Sequence, residues 1–267
     1  MPLRSDLEPD RIDATGLDRR AVAFGAAALL VRPAERAGGA QEPGFTAELI
    51  TITSRGKPIR AVVFRPVANA RGSGIVYLHG SGSIGPNQLR FAQSFARQGY
   101  VAVVPTYLDA AADDSIRAAP IMNAWRDCGI DAVEWLISQG IEPRRTASIG
   151  YSLGSFIATD GALGGGRAGA AIAIAGGWDV YVPRPPARRI PVLMVRAERD
   201  THVRPPGTER WRQFLTERGV SVRMRVIRGA GHIMNQRQWD EVSRHALEFL
   251  NDGIGHLDAP TTTGGTL

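Results

Sequence analysis

The chain has one cysteine, Cys128, and one lysine, Lys57, among its 32 basic residues. A single thiol excludes an intrachain disulfide, so the fold must be held by packing in either redox compartment. No apolar run is long enough to cross a bilayer. The longest, Ala21 to Val31, has eleven residues, about half of what the hydrocarbon core requires, so no permanent membrane span is expected. A compact basic arm is also missing. The arginines behind the formal net charge of +6 are spread through the chain, with neither a phosphate-binding stripe nor a nucleic-acid motif, and no nucleic-acid partner is expected. What is present is bulk: 267 residues, 43% of them hydrophobic, can close a sizeable core as one domain with dispensable ends.

The first 43 residues differ from the rest. A polar opening is followed by RRAVAFGAAALLV, Arg19 to Val31, and then by a loose RPAERAGGAQEPG. An arginine pair, an apolar run and a small-residue exit resemble a signal peptide of the twin-arginine kind. Against this, Asp6, Glu8, Asp10, Asp13 and Asp18 cancel the positive charge, and the cleavage pattern around Ala40 is poor. Two readings stand: a leader that sends the protein out of the cytoplasm, or a short N-terminal helix packed on a cytoplasmic domain. At the other end, residues 252–267 carry no periodicity, which predicts disorder.

From residue 44 to 251 the chain is periodic. FTAELITITS and PIRAVVFRP alternate as two strands around the turn SRGK, predicting an antiparallel hairpin at a sheet edge. SGIVYLHG is almost wholly apolar, as expected of a strand with helices on both faces. Strand, loop and helix then repeat. Helical patterns run over Asn87–Gly99, Met122–Gly140, Leu153–Leu163, Gly207–Gly219 and Asn235–Asp252, separated by the strands VAVVP, TASIG, AGAAIAIAG, IPVLMV and VSVRMRVI. This alternation predicts a single α/β domain with a mostly parallel central sheet, helices on both faces and an antiparallel hairpin leading in.

The segment ASIGYSLGSFIA carries the chemistry. Gly150-x-Ser152-x-Gly154 can arise by chance in a chain with 31 glycines, but here it falls between a strand and a helix. A serine on such a turn is held in strained geometry with its Oγ exposed above the strand ends, and the Leu153 N–H opens the following helix, where it can meet developing negative charge. Its hydroxyl needs a base, and the base needs an orienting acid. Asp200 ends the strand IPVLMVRAERD, and His232 follows the strand ending at Ile227, giving the order Ser152, Asp200, His232. Glu198 lies in the same exit loop as an alternative acid. The second oxyanion donor belongs to the loop HGSGSIGPN, with the Ser81 N–H first and Gly82 second; His79 precedes the turn and reads as a brace, and His79 and Gly82 are also candidates for the pocket wall. His202 reads as a rim residue, while His245 and His256 lie in the last helix and the tail.

These blocks resemble the dienelactone hydrolase branch of the α/β-hydrolases: VYLHGSGSIGPN, GYSLGS, PVLMVRAERD and GAGHIMN occur in that family's order, over roughly Phe45 to Leu250. The resemblance implies an α/β-hydrolase fold with Ser152, Asp200 and His232 as nucleophile, acid and base and Ser81 as first oxyanion donor. The triad mechanism itself needs no metal and no organic cofactor. The dienelactone enzymes themselves resemble GYCLGG, with a cysteine nucleophile, so Ser152 favours general carboxylic-ester hydrolysis, and the absence of a large cap favours small to medium esters. Amide hydrolysis, acyl transfer and an inactive binding role on the same scaffold are the alternatives. Two loops are candidate pocket walls: Pro105 to Trp125, containing Tyr107, and Gly176 to Arg189, where Trp178 and Tyr181 form either an acyl slot or rim packing. Neither loop is large enough for a lid domain. Monomer and homodimer both stay open.

Overall fold

Alternating side chains at the N-terminal edge build β1 (Phe45–Ser54) and β2 (Lys57–Pro66), which pair antiparallel from Ser54↔Lys57 to Phe45↔Pro66. Arg55 and Gly56 between them have φ of 48° and 76°, the two successive positive values that a two-residue hairpin turn needs to match strand twist. The structure is a computed structural model, and it describes residues 44–82, 84–112, 117–178 and 182–253. The expectations for residues 1–43 and for the tail beyond Gly253 lie outside the described residues.

The hairpin leads into an eight-stranded sheet of order β1-β2-β4-β3-β5-β6-β7-β8. Its other members are β3 (Ser73–Leu78), β4 (Tyr100–Pro105), β5 (Thr146–Tyr151), β6 (Ala170–Ile174), β7 (Val192–Ala197) and β8 (Val222–Ile227). β2 meets β4 antiparallel, and every pairing from β4 to β8 is parallel. Every residue of β3, β5 and β6 is buried, which explains why these strands read as continuous apolar or small-residue runs.

Helices cover both faces. On one, α1 (Pro86–Arg97) and α5 (Gln236–Gly253) meet through Phe91, whose ring lies 5.2 Å from Tyr77 and 5.4 Å from Trp239. On the other, α2 (Ala119–Ser138), α3 (Leu153–Gly164) and α4 (Pro205–Thr216) share a core containing Trp125, Phe156 and Trp211. Cys128 is buried there, and burial pushes its thiol up to about 12, leaving a small hydrophobe. Arg188 closes α3 by donating from Nη1 to the carbonyls of Ala162 (3.2 Å), Ala168 (2.9 Å) and Gly166, acceptors with no partner inside a helix.

Two helices begin earlier than periodicity indicates. α2 starts at Ala119 and α4 at Pro205, because Pro120, Pro205 and Pro206 fit a first turn, where no backbone N–H has an acceptor to lose. Among the described residues, no helix is long and apolar enough to cross a membrane.

The parallel register matters most for function. With β3, β5, β7 and β8 pointing the same way, the loops that follow Leu78, Tyr151, Ala197 and Ile227 emerge at one edge of the sheet, where open α/β sheets place their ligand crevices.

Candidate active site

Ser152 occupies the turn between β5 and α3 with φ 53° and ψ −120°, a conformation that strains any residue with a Cβ. Both flanking glycines are sterically required. A Cβ on Gly150 would lie 1.9 Å from the Gly154 carbonyl oxygen, and one on Gly154 would lie 2.1 Å from the Leu78 carbonyl oxygen. The turn is tied to its surroundings by the Ser152 N–H, which donates to Ile174 O (2.8 Å), and by the Ser155 hydroxyl, which donates to Ser152 O (2.5 Å).

The serine hydroxyl lies 2.9 Å from His232 Nε2, and His232 Nδ1 lies 2.8 Å from Asp200 Oδ2. A carboxylate only accepts, so Nδ1 carries the proton, and neutral Nε2 is left to accept from Ser152 Oγ. Asp200 is almost wholly enclosed, with 1% of its side chain exposed. Burial alone would raise its pKa. The His232 hydrogen bond, the Val203 N–H, the nearby imidazole charge and the His202 N–H outweigh burial and hold the carboxyl below the usual range. The two N–H groups reach Asp200 Oδ1 at 2.9 Å from His202 and 2.8 Å from Val203. Glu198, two residues earlier, turns outward and accepts the Gly229 N–H at 2.7 Å.

His232 is fixed from a second side by Tyr151. That phenol donates to the His232 carbonyl (2.5 Å), its ring stacks on the imidazole at 5.4 Å, and burial, followed by the charge of Asp200, pushes its pKa up to about 12.

The loop after β3 passes beside the serine, since a Cβ on Gly80 would come within 3.3 Å of Ser152 Cβ. His79 is buried, and burial holds its imidazole below the ordinary histidine value, hence neutral near pH 7. Its Nδ1–H donates to Gly80 O at 2.7 Å, and Tyr107 donates to His79 O at 2.8 Å. In a planar trans peptide the C=O and the following N–H point opposite ways. Tying Gly80 O to His79 therefore turns the Ser81 N–H away from the His79 ring.

A cavity of about 460 Å³ opens over Ser152, and Ser81, Gly82, Leu153, His202 and His232 all line it. His79, Tyr107 and Trp178, candidates for the pocket wall in the sequence, are not among its lining residues. His79 and Tyr107 are buried and brace the loop after β3, their rings 4.9 Å apart. Trp178 packs against Phe214 at 5.1 Å and under the Arg210 guanidinium at 4.0 Å. Tyr181 lies outside the described residues. The lining also includes Gln88, Arg117, Tyr151, Phe156, Val203 and Ile233, none assigned from sequence. Phe156 stands three residues after Leu153 on α3, a spacing that puts both at one helix face. Ile233 is 80% exposed directly after His232. Arg117 comes from the long loop already identified as a candidate wall. Among the described residues, no cluster of three or more His, Cys, Asp or Glu side chains is arranged to hold a metal.

Comparison with known proteins agrees with this architecture. The model of the dienelactone hydrolase family matches residues 59–250. Comparison with curated proteins gives no match. Among solved structures, a dienelactone hydrolase-like promiscuous phosphotriesterase from metagenomic libraries is 16% identical, covering 79% of this chain and 99% of its own, with a TM-score of 0.65. A hyperthermophilic esterase from Pyrobaculum calidifontis is 19% identical over 90% of this chain and 94% of its own, with a TM-score of 0.60. A puromycin-hydrolyzing peptidase from Mycobacterium tuberculosis is 17% identical over 82% of this chain and 41% of its own, with a TM-score of 0.61. At these identities the likeness is one of fold.

Proposed function

The chain belongs to the dienelactone hydrolase family, and from that premise we propose that it is a serine hydrolase acting on carboxylic esters of small to medium size. The observation that carries this reading is the continuous hydrogen-bonded chain from Ser152 Oγ through His232 to Asp200 at the base of an open cavity of about 460 Å³.

The chemistry follows from the donors and acceptors. As Ser152 Oγ attacks the ester carbonyl carbon, His232 Nε2 takes its proton, and the ionised Asp200 stabilises the imidazolium and keeps its tautomer. Negative charge moves to the carbonyl oxygen. The Leu153 N–H, at the start of α3, and the Ser81 N–H are the donors assigned to it, each worth on the order of 10²-fold in rate in comparable sites. Collapse of the tetrahedral intermediate breaks the bond to the alcohol, whose oxygen takes the proton from His232. Water, deprotonated by the same imidazole, then releases the acid and restores Ser152. Only this chain's own residues are used.

The pocket supports the substrate size. It has no lid domain among the described residues, and its lining mixes apolar Leu153, Phe156, Val203 and Ile233 with polar Gln88 and Arg117. The test is labelling with a fluorophosphonate, peptide mass mapping and turnover of short- and long-acyl esters. The expected adduct is on Ser152, and Ser152→Ala should remove both adduct and hydrolysis while the thermal midpoint is kept. An adduct on Ser81, Ser155 or Cys128 of the folded protein would overturn the assignment. Transfer of the acyl group to an added alcohol in preference to water would replace hydrolysis with acyl transfer.

A further inference from the structure

A second imidazole lies against the first. The ring of His202 stacks on that of His232 with centroids 5.0 Å apart and planes 24° from parallel. His202 is exposed and lines the cavity. Its backbone is held by Asp200, whose Oδ1 accepts the His202 N–H while Oδ2 accepts from His232. One carboxylate therefore fixes the His232 ring and the backbone that carries His202. Pocket lining alone would give neither the near-parallel stack nor the shared anchor.

We propose, resting on the serine-hydrolase reading above, that His202 is a positioning residue. While neutral it holds the His232 imidazole in its stack, and when it carries a proton it opposes formation of the His232 imidazolium. Among the described residues, the other ionisable groups at the pair are Asp200 on the same loop, Tyr151 at the end of β5 and Arg117 in the cavity lining; Glu198 is turned away onto the Gly229 N–H. Arginine stays charged at every working pH. Asp200 stays ionised and Tyr151 neutral, their pKa values being held low and raised to about 12 respectively. Imidazole is the remaining side-chain type here, and it is the one whose charge ordinarily changes between about pH 5 and 8. Two like charges 5.0 Å apart in a half-open site repel enough to slow imidazolium formation by on the order of tenfold. The acid side of the rate profile should then carry two ionisations.

The experiment uses the full-length chain with His202→Phe, which keeps a stacking ring but no charge, and His202→Ala, which loses both. Single-turnover acylation is followed from pH 5 to 9 with a small activated ester. The unchanged protein should lose rate below neutrality over a broader pH range than one ionisation gives, because two mutually repelling imidazoles protonate in separate steps, and His202→Phe should follow a single ionisation. His202→Ala should lower the neutral-pH plateau of kcat about tenfold with KM changed less than twofold, and His202→Phe should recover most of that loss. Superimposed pH profiles for the unchanged protein and His202→Phe, or an unaltered plateau in His202→Ala, would overturn the proposal. So would a loss in His202→Phe as deep as that of Asp200→Asn, which would make His202 the proton carrier itself. Imidazole Cε1–H signals followed by NMR read the same coupling without catalysis. In His202→Phe the His232 titration should move to higher pH, and an unmoved titration counts against the coupling even if Ser152 proved not to be acylated.

Discussion

The turn that holds Ser152 and the loop that holds Asp200 reach similar precision by opposite means. The serine turn is shaped by missing side chains, because Gly150 and Gly154 let backbone approach backbone at distances that a single Cβ would forbid. The acid loop is shaped by added bonds: both Asp200 oxygens are occupied, one by His232 and the other by two N–H groups. Steric exclusion leaves a fixed mark in sequence, a glycine two residues to either side of the serine. Hydrogen bonding leaves a choice, since Glu198 and Asp200 carry the same chemistry in the same loop. The comparison predicts that changes at the glycines of the turn damage the fold first, and changes at the carboxylate of the loop damage the rate first.

The largest effect should come from Asp200→Asn. Losing the fixed histidine tautomer should lower acylation by about 10⁴-fold while the chain stays folded; stopped-flow acylation read beside circular dichroism checks both halves. A loss of less than tenfold would break the comparison, because the loop would then not be setting the chemistry. Gly154→Ala comes next and acts on stability. Its new Cβ must displace the Leu78 carbonyl, 2.1 Å away, and a loss of more than about 3 kcal/mol in denaturant unfolding is expected.

Asp160, on the helix that leaves the turn, separates stability from rate. Burial raises its carboxyl to about 7, against a lowering by Arg126. A carboxyl raised on folding favours the protonated form, so its contribution is intact below the unfolded value near 4 and is lost as pH climbs through about 7. Asp160→Asn should therefore gain on the order of 2 kcal/mol at pH 8.5 and nothing at pH 4, after discounting for the partial exposure of the side chain. Melting curves at the two pH values decide it, with acylation of the folded protein unchanged. The smallest effect should come from Glu198→Gln, less than about threefold in acylation, because the amide oxygen still accepts the Gly229 N–H. A crippled Glu198→Gln beside a mild Asp200→Asn would exchange the two acids.

Sequence legibility followed the same division. The α/β alternation, the hairpin turn at Arg55 and Gly56, and the order of Ser152, Asp200 and His232 were readable because each rests on a local pattern with a steric or topological cause. The placing of Tyr107 in the pocket failed for lack of direction. An aromatic residue after a strand can face the crevice or the core, and only the reach of its hydroxyl to His79 O turns it inward. Trp178 was diverted in the same way by Phe214 and Arg210. Arg117 and Ile233 entered the cavity through loop paths that carry no periodic signal. His202 was visible as a rim residue, but its stacking on His232 depends on an Asp200 bond that only coordinates reveal.

The backbone strain at Ser152 also bears on how such a chain ages. At φ 53° and ψ −120° glycine is the comfortable occupant, and replacing the serine with glycine should relieve on the order of 1 kcal/mol, partly offset by the greater freedom of glycine in the unfolded chain. If Ser152 is the nucleophile proposed above, a gene copy released from selection for turnover would drift downhill in free energy by discarding it first. On that proposed reading, serine at this strained position is a standing cost in stability that use of its hydroxyl offsets.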